Sequence, residues 1–387
     1  MRVDSCQNGW DRTFGWPGIL LSVGDESQVF TCARLPFPCR LHHGNSLNII
    51  IIDILSQKEM LSAVNRLLQA IAAADILTMM TYIPYSFFYY IMHGTEESEE
   101  RNTRSATCYL VFHVIFSLMS HTISIWLTVT VTLFRYLHIG TQRGKKWCTV
   151  QAANLCIGII CVLSLVLYVP HMLVINIKQY SDNSTNFTWY HIDNDGSHYG
   201  NYKHLNMTQY VLLAIFVKIT PSLLLIGLSG LIINFIVAAH KRYKAMRKNS
   251  AVGSELVSLS RDSTFSTCNQ QLSLQSVKTR KKRKLMKSLN QRHRDKRAQQ
   301  ITKMILAVAI IFTAVELPQG LISVLCLFVK QFFEKVYWPL GNFLDLITIL
   351  SCWVNFIILC GMSSQFWQLL AGWFKCLSCS KRSSSEK

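Results

Sequence analysis

The sequence predicts an all-α membrane protein: a seven-helix transmembrane bundle followed by a short amphipathic helix. Two properties of the 387 residues predict it. Half are hydrophobic and only 16% are charged, well below the usual share for a soluble protein of this size. The apolar residues also gather into seven segments, roughly 44–57, 63–92, 107–138, 149–176, 208–239, 299–329 and 337–361. A helix needs about 20 apolar residues to cross the hydrocarbon core. Six segments reach that length and the first does not.

The charges orient the bundle. Between Lys241 and Arg297 there are 17 Lys/Arg and three acids, Glu255, Asp262 and Asp295. Arg143, Lys145 and Lys146 follow the third segment, and Lys375, Lys381, Arg382 and Lys387 follow the seventh. The alternate loops are acidic or balanced, as in the run Glu96, Glu97, Glu99 and Glu100. Basic loops stay cytoplasmic. The net charge of +18 therefore marks an inner membrane face rather than a nucleic-acid surface. Lys278 to Lys284 also resembles a nuclear signal, a reading that a multi-span chain disfavours.

Taken in order, residues 1–43 form an extracellular amino-terminal segment. Met1 to Arg12 is polar, and no signal peptide is expected. The membrane domain covers 44–361, with a Ser-rich and then basic cytoplasmic loop at 240–298. Loop 177–207 carries three N-x-[ST] sequons, at Asn183, Asn186 and Asn206, consistent with a glycosylated outer face. Residues 362–387 hold an aromatic amphipathic helix that should lie on the membrane, then a tail with Cys376 and Cys379. Juxtamembrane palmitoylation suits these two cysteines, because zinc would need a second ligand pair. Amino terminus outside, carboxyl terminus inside and a multi-pass location in the plasma membrane follow.

Ionisable side chains inside spans are functional candidates. Here they are Asp53, Asp75, Lys218, Glu316 and Asp345, accompanied by Asn48, His121, Ser124, Ser351 and Asn355. Arg135 closes the third segment, and Ser124 precedes it by eleven residues, three turns up the same face. Lys218, three residues before Pro221, should face the sixth segment, where an ion pair with Glu316 would spare each charge its full desolvation. No nucleophile–base set or phosphate-cradling glycine loop suggests an enzyme.

Several motifs then occur in a fixed order. They are Tyr82-Ile83-Pro84-Tyr85, the run from His121 to Thr128 with Phe134-Arg135-Tyr136, and Lys218-Ile219-Thr220-Pro221. Glu316-Leu317-Pro318-Gln319-Gly320, Leu340 to Asp345, and Asn355-Phe356-Ile357 running on to Phe366 complete the set. On these residues the chain resembles rhodopsin-like G-protein-coupled receptors over about residues 44–374. Within them it is similar to the myosuppressin/FMRFamide-type neuropeptide receptors of invertebrates, especially the nematode members.

The resemblance implies roles. Arg135, with Phe134, Tyr136 and Asn355, would form the switch that meets a heterotrimeric G protein, and arrestin after it. Phe134 replaces the usual acid, and Ala298 stands where a second acid often sits, so no salt bridge can hold the switch closed there. Asp75, Ser124, Ser351 and Asn355 would build a sodium or water pocket; a hydrogen-bonded polar core without an ion fits the same residues. Pro221, Ile125, Phe312 and Pro318 would be the activation packing. His121, Glu316, Gln319, Asp345 and Lys218 would line the pocket for an extracellular amidated peptide. Its arginine could pair with Asp345 or with Glu316, bidentate pairing being strong.

The sequence departs from that pattern in three places. Loop 177–207 has no cysteine to join Cys108, which could pair instead with Cys6, Cys32 or Cys39. Leu359 and Ser229 stand where activation commonly uses tyrosine. The first span is interrupted, with Arg34, Pro36, Pro38 and Arg40 where its outer half belongs and Asp53 in its apolar run. A mis-joined exon or divergent isoform would account for it. Two alternatives therefore stand beside the peptide receptor: an ion-coupled transporter using the intramembrane charges, and a receptor variant that no longer signals.

Overall fold

In the computed structural model, residues 36–92, 101–140, 142–182, 187–193 and 211–259 are described. So are residues 302–329 apart from 304 and 327, together with isolated positions between 300 and 371. The seventh apolar segment, the basic half of the long loop and the tail lie almost wholly outside these residues.

Helix α1 spans Pro36–Ser56, so helical backbone begins ahead of the apolar segment that starts at residue 44. Pro36 and Pro38 fall in its first turn, where backbone N–H groups have no intrahelical acceptor and proline loses nothing. The apolar part remains Asn45–Ser56, short of a full span. Asp53 is exposed and lies one turn from the end of the helix. The opposite face buries Ile51, Ile54 and Leu55.

Ser62 caps α2 (Ala63–Ser86) by accepting the Asn65 N–H at 3.2 Å. Pro84 removes one helical donor, and the chain widens into a π turn over Phe87–Met92. Helix α3, Arg104–Gly140, has 37 residues. At 1.5 Å per residue that is about 55 Å, far longer than the bilayer core is thick. It is the central post of the bundle. The short α4 (Gln142–Trp147) leads to α5 (Val150–Val174), which Thr149 caps through the Ala152 N–H at 3.1 Å. Leu155, Val162, Leu163 and Val166 of α5 are 60–65% exposed, as suits a helix that faces lipid.

Loop 177–207 contains a hairpin that the sequence reading did not anticipate. Strand β1 (Asn176–Asp182) pairs antiparallel with β2 (Phe187–Asp193), and Tyr180 stacks on its partner Trp189. The hairpin is tied to the start of α3. The Tyr190 N–H donates to Asn102 O at 2.9 Å, and Thr107 Oγ1 donates to Tyr190 O at 3.3 Å. These bonds sit beside Cys108, which forms no disulfide among the described residues. Asn183, Asn186 and Asn206 lie outside those residues, as do Cys6, Cys32 and Cys39.

A π turn over Ala214–Ile219 opens α6 (Thr220–Leu259). The helix continues through Lys241 and Arg247 well beyond its apolar part, which ends at Ala238. The last element described over its full length is α7, Ile305–Cys326. Five helices are long and apolar enough to cross a membrane among the described residues. One apolar core joins α1, α2, α3, α6 and α7 through Leu67, Leu127, Leu225 and Phe312. A second, aromatic core lies between α2 and the first half of α3, around Tyr82, Tyr85, Tyr89 and Val114.

Candidate functional site

Lys218 owes its position to backbone irregularity. Pro221 has no N–H to give to the preceding turn, and Thr220 N–H reaches back to Ile215 O in a wide turn. Such bulges re-aim the side chains they carry and are frequent at functional sites. Lys218 Nζ meets Glu316 Oε2 on α7 at 2.5 Å and Gln319 Oε1 at 2.9 Å. The expected Lys218–Glu316 ion pair is therefore present.

The carboxylate has a second partner. His121 Nε2 on α3 lies 3.0 Å from Glu316 Oε1. A carboxylate only accepts, so the imidazole contributes its Nε2–H. Gln319 Nε2 passes the chain of bonds on to Leu344 O at 3.3 Å. Glu316 is 2% exposed and His121 3%. One acid thus binds α3, α6 and α7 together in a setting without bulk water, where such bonds are strong and a missing partner is costly.

Gly320 makes this approach possible. A Cβ there would lie 2.9 Å from Lys218 Cβ and 3.3 Å from Ile219 Cγ1. The sequence reading did not single it out as a site residue. Its signal was a glycine next to Gln319 on a helix that must face another charged helix.

A second polar site lies beside α2. Ser124 Oγ donates to Asp75 Oδ1 at 2.7 Å, and both residues are at most 1% exposed. Asn48 of α1 is equally buried, and its side-chain atoms have no hydrogen-bond partner among the described residues. Ser351 and Asn355, expected to complete this pocket, are outside those residues, as is Asp345.

Ile125 and Phe312 are each 1% exposed within the main core, and Pro221 is buried on α6. Pro318 lies exposed on α7, between Glu316 and Gln319. Toward the end of α3, Arg135 and Phe134 are both 6% exposed. The Tyr136 ring lies 5.7 Å from that of Phe235 on α6. Cys148, between α4 and α5, donates to Phe134 O at 3.5 Å. Burial pushes its thiol up in pKa, and the Arg135 guanidinium offsets part of that rise. Cys376 and Cys379 are outside the described residues.

An aromatic cluster not expected from the sequence lies between α2 and the first half of α3. His113 is fully buried, stacked on Tyr85 at 4.4 Å and edge-on to Tyr82 at 4.5 Å. The helical spacing of Tyr82, Tyr85 and Tyr89 was its visible trace.

Long apolar helices around a buried three-helix ion cluster define a helical membrane protein, and no set of three or more metal-ligating side chains occurs among the described residues. The sequence profile of the family described as serpentine type 7TM GPCR chemoreceptor Srw matches residues 43–264 and 273–377, and the chain belongs to that family. It is a seven-transmembrane G-protein-coupled receptor and not an enzyme.

Three curated relatives are similar over most of the chain. The G-protein coupled receptor dmsr-1 of Caenorhabditis elegans is 25% identical over 340 residues, 84% of this chain and 64% of the relative. The sex peptide receptor of Drosophila melanogaster is 22% identical over 355 residues, 88% of this chain and 72% of that one. Sex peptide receptor-related protein 2 of Caenorhabditis elegans is 25% identical over 383 residues, 93% and 74% of the two chains. The chain thus spans just under two thirds of the length of dmsr-1.

Proposed function

We propose that this receptor is activated by an extracellular amidated neuropeptide of the FMRFamide/myosuppressin type. In this reading it signals through a heterotrimeric G protein and then arrestin, at the plasma membrane with its amino terminus outside. The observation that carries the reading is the buried His121–Glu316–Lys218–Gln319 cluster. Charges kept inside a bundle mark a functional site, and here they tie together the helices whose rearrangement a ligand would have to drive. The name of the Drosophila relative, a sex peptide receptor, supports a peptide as the ligand.

Asp345 is the partner proposed for a ligand arginine in preference to Glu316. Glu316 already faces Lys218 and His121, so a guanidinium would have to displace a bound ammonium. The acidic run from Glu96 to Glu100 would gather a cationic peptide. Glycosylation of Asn183, Asn186 and Asn206 and palmitoylation of Cys376 and Cys379 complete the proposed surface chemistry.

A sodium ion is proposed at Asp75. The Asp75 carboxylate, the Ser124 hydroxyl and the unpartnered Asn48 Oδ1 are the kind of oxygen donors a hard cation takes, with Ser351 and Asn355 as further donors. Its effect would be to hold α1, α2 and α3 together around one carboxylate.

The test is a panel of amidated peptides and their free acids on cells expressing the full chain, read by G-protein activation at matched surface expression. Amidated Arg-Phe peptides should activate and their acids should not, and Asp345→Asn should cut potency about tenfold, the loss of one strong charged contact. Silence toward every peptide, with the receptor at the surface, would reject the reading. Substrate-dependent currents in the same cells would support an ion-coupled transporter instead.

A further inference from the structure

The ion cluster is placed where a bend would open it. Pro318 lies two residues after Glu316 and immediately before Gln319, inside α7. Lacking an N–H, it leaves the turn beneath it short of one hydrogen bond and makes this the softest point of the helix. On the facing helix, Lys218 stands in a π turn, three residues before Pro221. Both halves of the ion pair therefore sit beside a backbone hinge.

The bonds are also interdependent. Glu316 holds His121 with one oxygen and Lys218 with the other, while Lys218 holds Gln319 across the Pro318 hinge. A bend at Pro318 that moved Glu316 away from Gln319 would strain every link together. Buried ionic contacts reward good geometry steeply and lose their advantage once partners separate. At Gly320 even a Cβ would crowd Lys218, so α7 meets the π turn before α6 with little free space. Closely packed interfaces move between discrete arrangements.

Arg135 and Phe134, at the far end of α3, are buried while the cluster is intact. We propose that the Glu316–Lys218–His121 cluster is a latch that holds the receptor in its resting state, and that Gly320 is the positioning residue that lets it close. This rests on the receptor reading above and deepens it, since a ligand would act by drawing one member of the cluster away. Glu316 is then a latch residue and leaves ligand contact to others.

The experiment uses the purified full chain in lipid nanodiscs, with no peptide or G protein present. Spectroscopic labels at the exposed positions Leu133 and Lys303 report the separation between the end of α3 and the start of α7. Two variants loosen the latch by different routes. Glu316→Gln keeps the shape but removes the charge, and Gly320→Ala keeps every polar group but drives Lys218 aside. Each should raise the separated population at least about threefold over wild type, a modest shift in a two-state equilibrium. Folded variants with the wild-type distance distribution would overturn the latch. Loss of cooperative melting in both variants would also overturn it, leaving a knot that only supports the fold. A wild-type chain that answers no peptide while these shifts occur would sink the peptide reading and leave the latch standing.

Discussion

Glu316 on α7 and Asp75 on α2 are equally hidden, at 2% and 1% exposure, yet they are held differently. Glu316 takes a lysine ammonium and an imidazole from two other helices. Asp75 takes a serine hydroxyl from α3. The first arrangement compensates a charge with a charge and couples three helices. The second joins a carboxylate to a neutral hydroxyl across two helices. A buried acid thus says only that function is near; its partners say whether it couples helices through charge or through a neutral hydroxyl.

Four substitutions sharpen or break this contrast. The largest effect belongs to Lys218→Met, which strands a buried carboxylate. It should cost about 3–5 kcal/mol, read as a lower melting temperature in detergent and reduced surface expression. A loss no greater than that of Ser124→Ala would erase the distinction between the two acids. Gly320→Ala comes next. Overpacking against Lys218 should cost about 2 kcal/mol, and a Gly320→Ala, Lys218→Met double variant should be less than additive if both act on one contact.

Ser124→Ala should cost about 1.5 kcal/mol, because Asp75 loses a donor in the core. It should also weaken any stabilisation of the melting temperature by sodium over potassium, an effect that Gly320→Ala should leave in place. The smallest effect is expected away from both acids. Thr107→Val removes the hydroxyl that reaches Tyr190 O and should cost about 1 kcal/mol. Hydrogen exchange at the β1–β2 hairpin should quicken while the two acid sites stay unchanged.

The spans were legible in the sequence because hydropathy is a local property. Segments drawn from composition alone at 63–92, 107–138, 149–176, 208–239 and 299–329 coincide with the five long apolar helices within a few residues at most ends. For α1 only the apolar part, Asn45–Ser56, was legible, and the turns before it were not. Proline looks like a breaker in a sequence, and only its place in the first turn makes it harmless. The hairpin was missed because its polar strands, Asn176–Asp182 and Phe187–Asp193, carry no strong alternation. What secures it includes the bonds from Tyr190 to Asn102 and Thr107, which no local pattern encodes.

The sequence by itself determined that this chain crosses a membrane repeatedly, that its basic residues gather in alternate loops and which ionisable groups the bilayer would have to hide. Those follow from transfer free energies summed over short windows. The Lys218–Glu316 pair could be anticipated from one helix register and the cost of an unpaired charge. Only the tertiary structure decided that His121, 195 residues from Glu316 in the chain, shares the same carboxylate. It alone decided that Gln319 carries the chain of bonds on to Leu344 and that Gly320 must be small. These depend on how closely three helices approach, a property of packing between segments and of no segment alone.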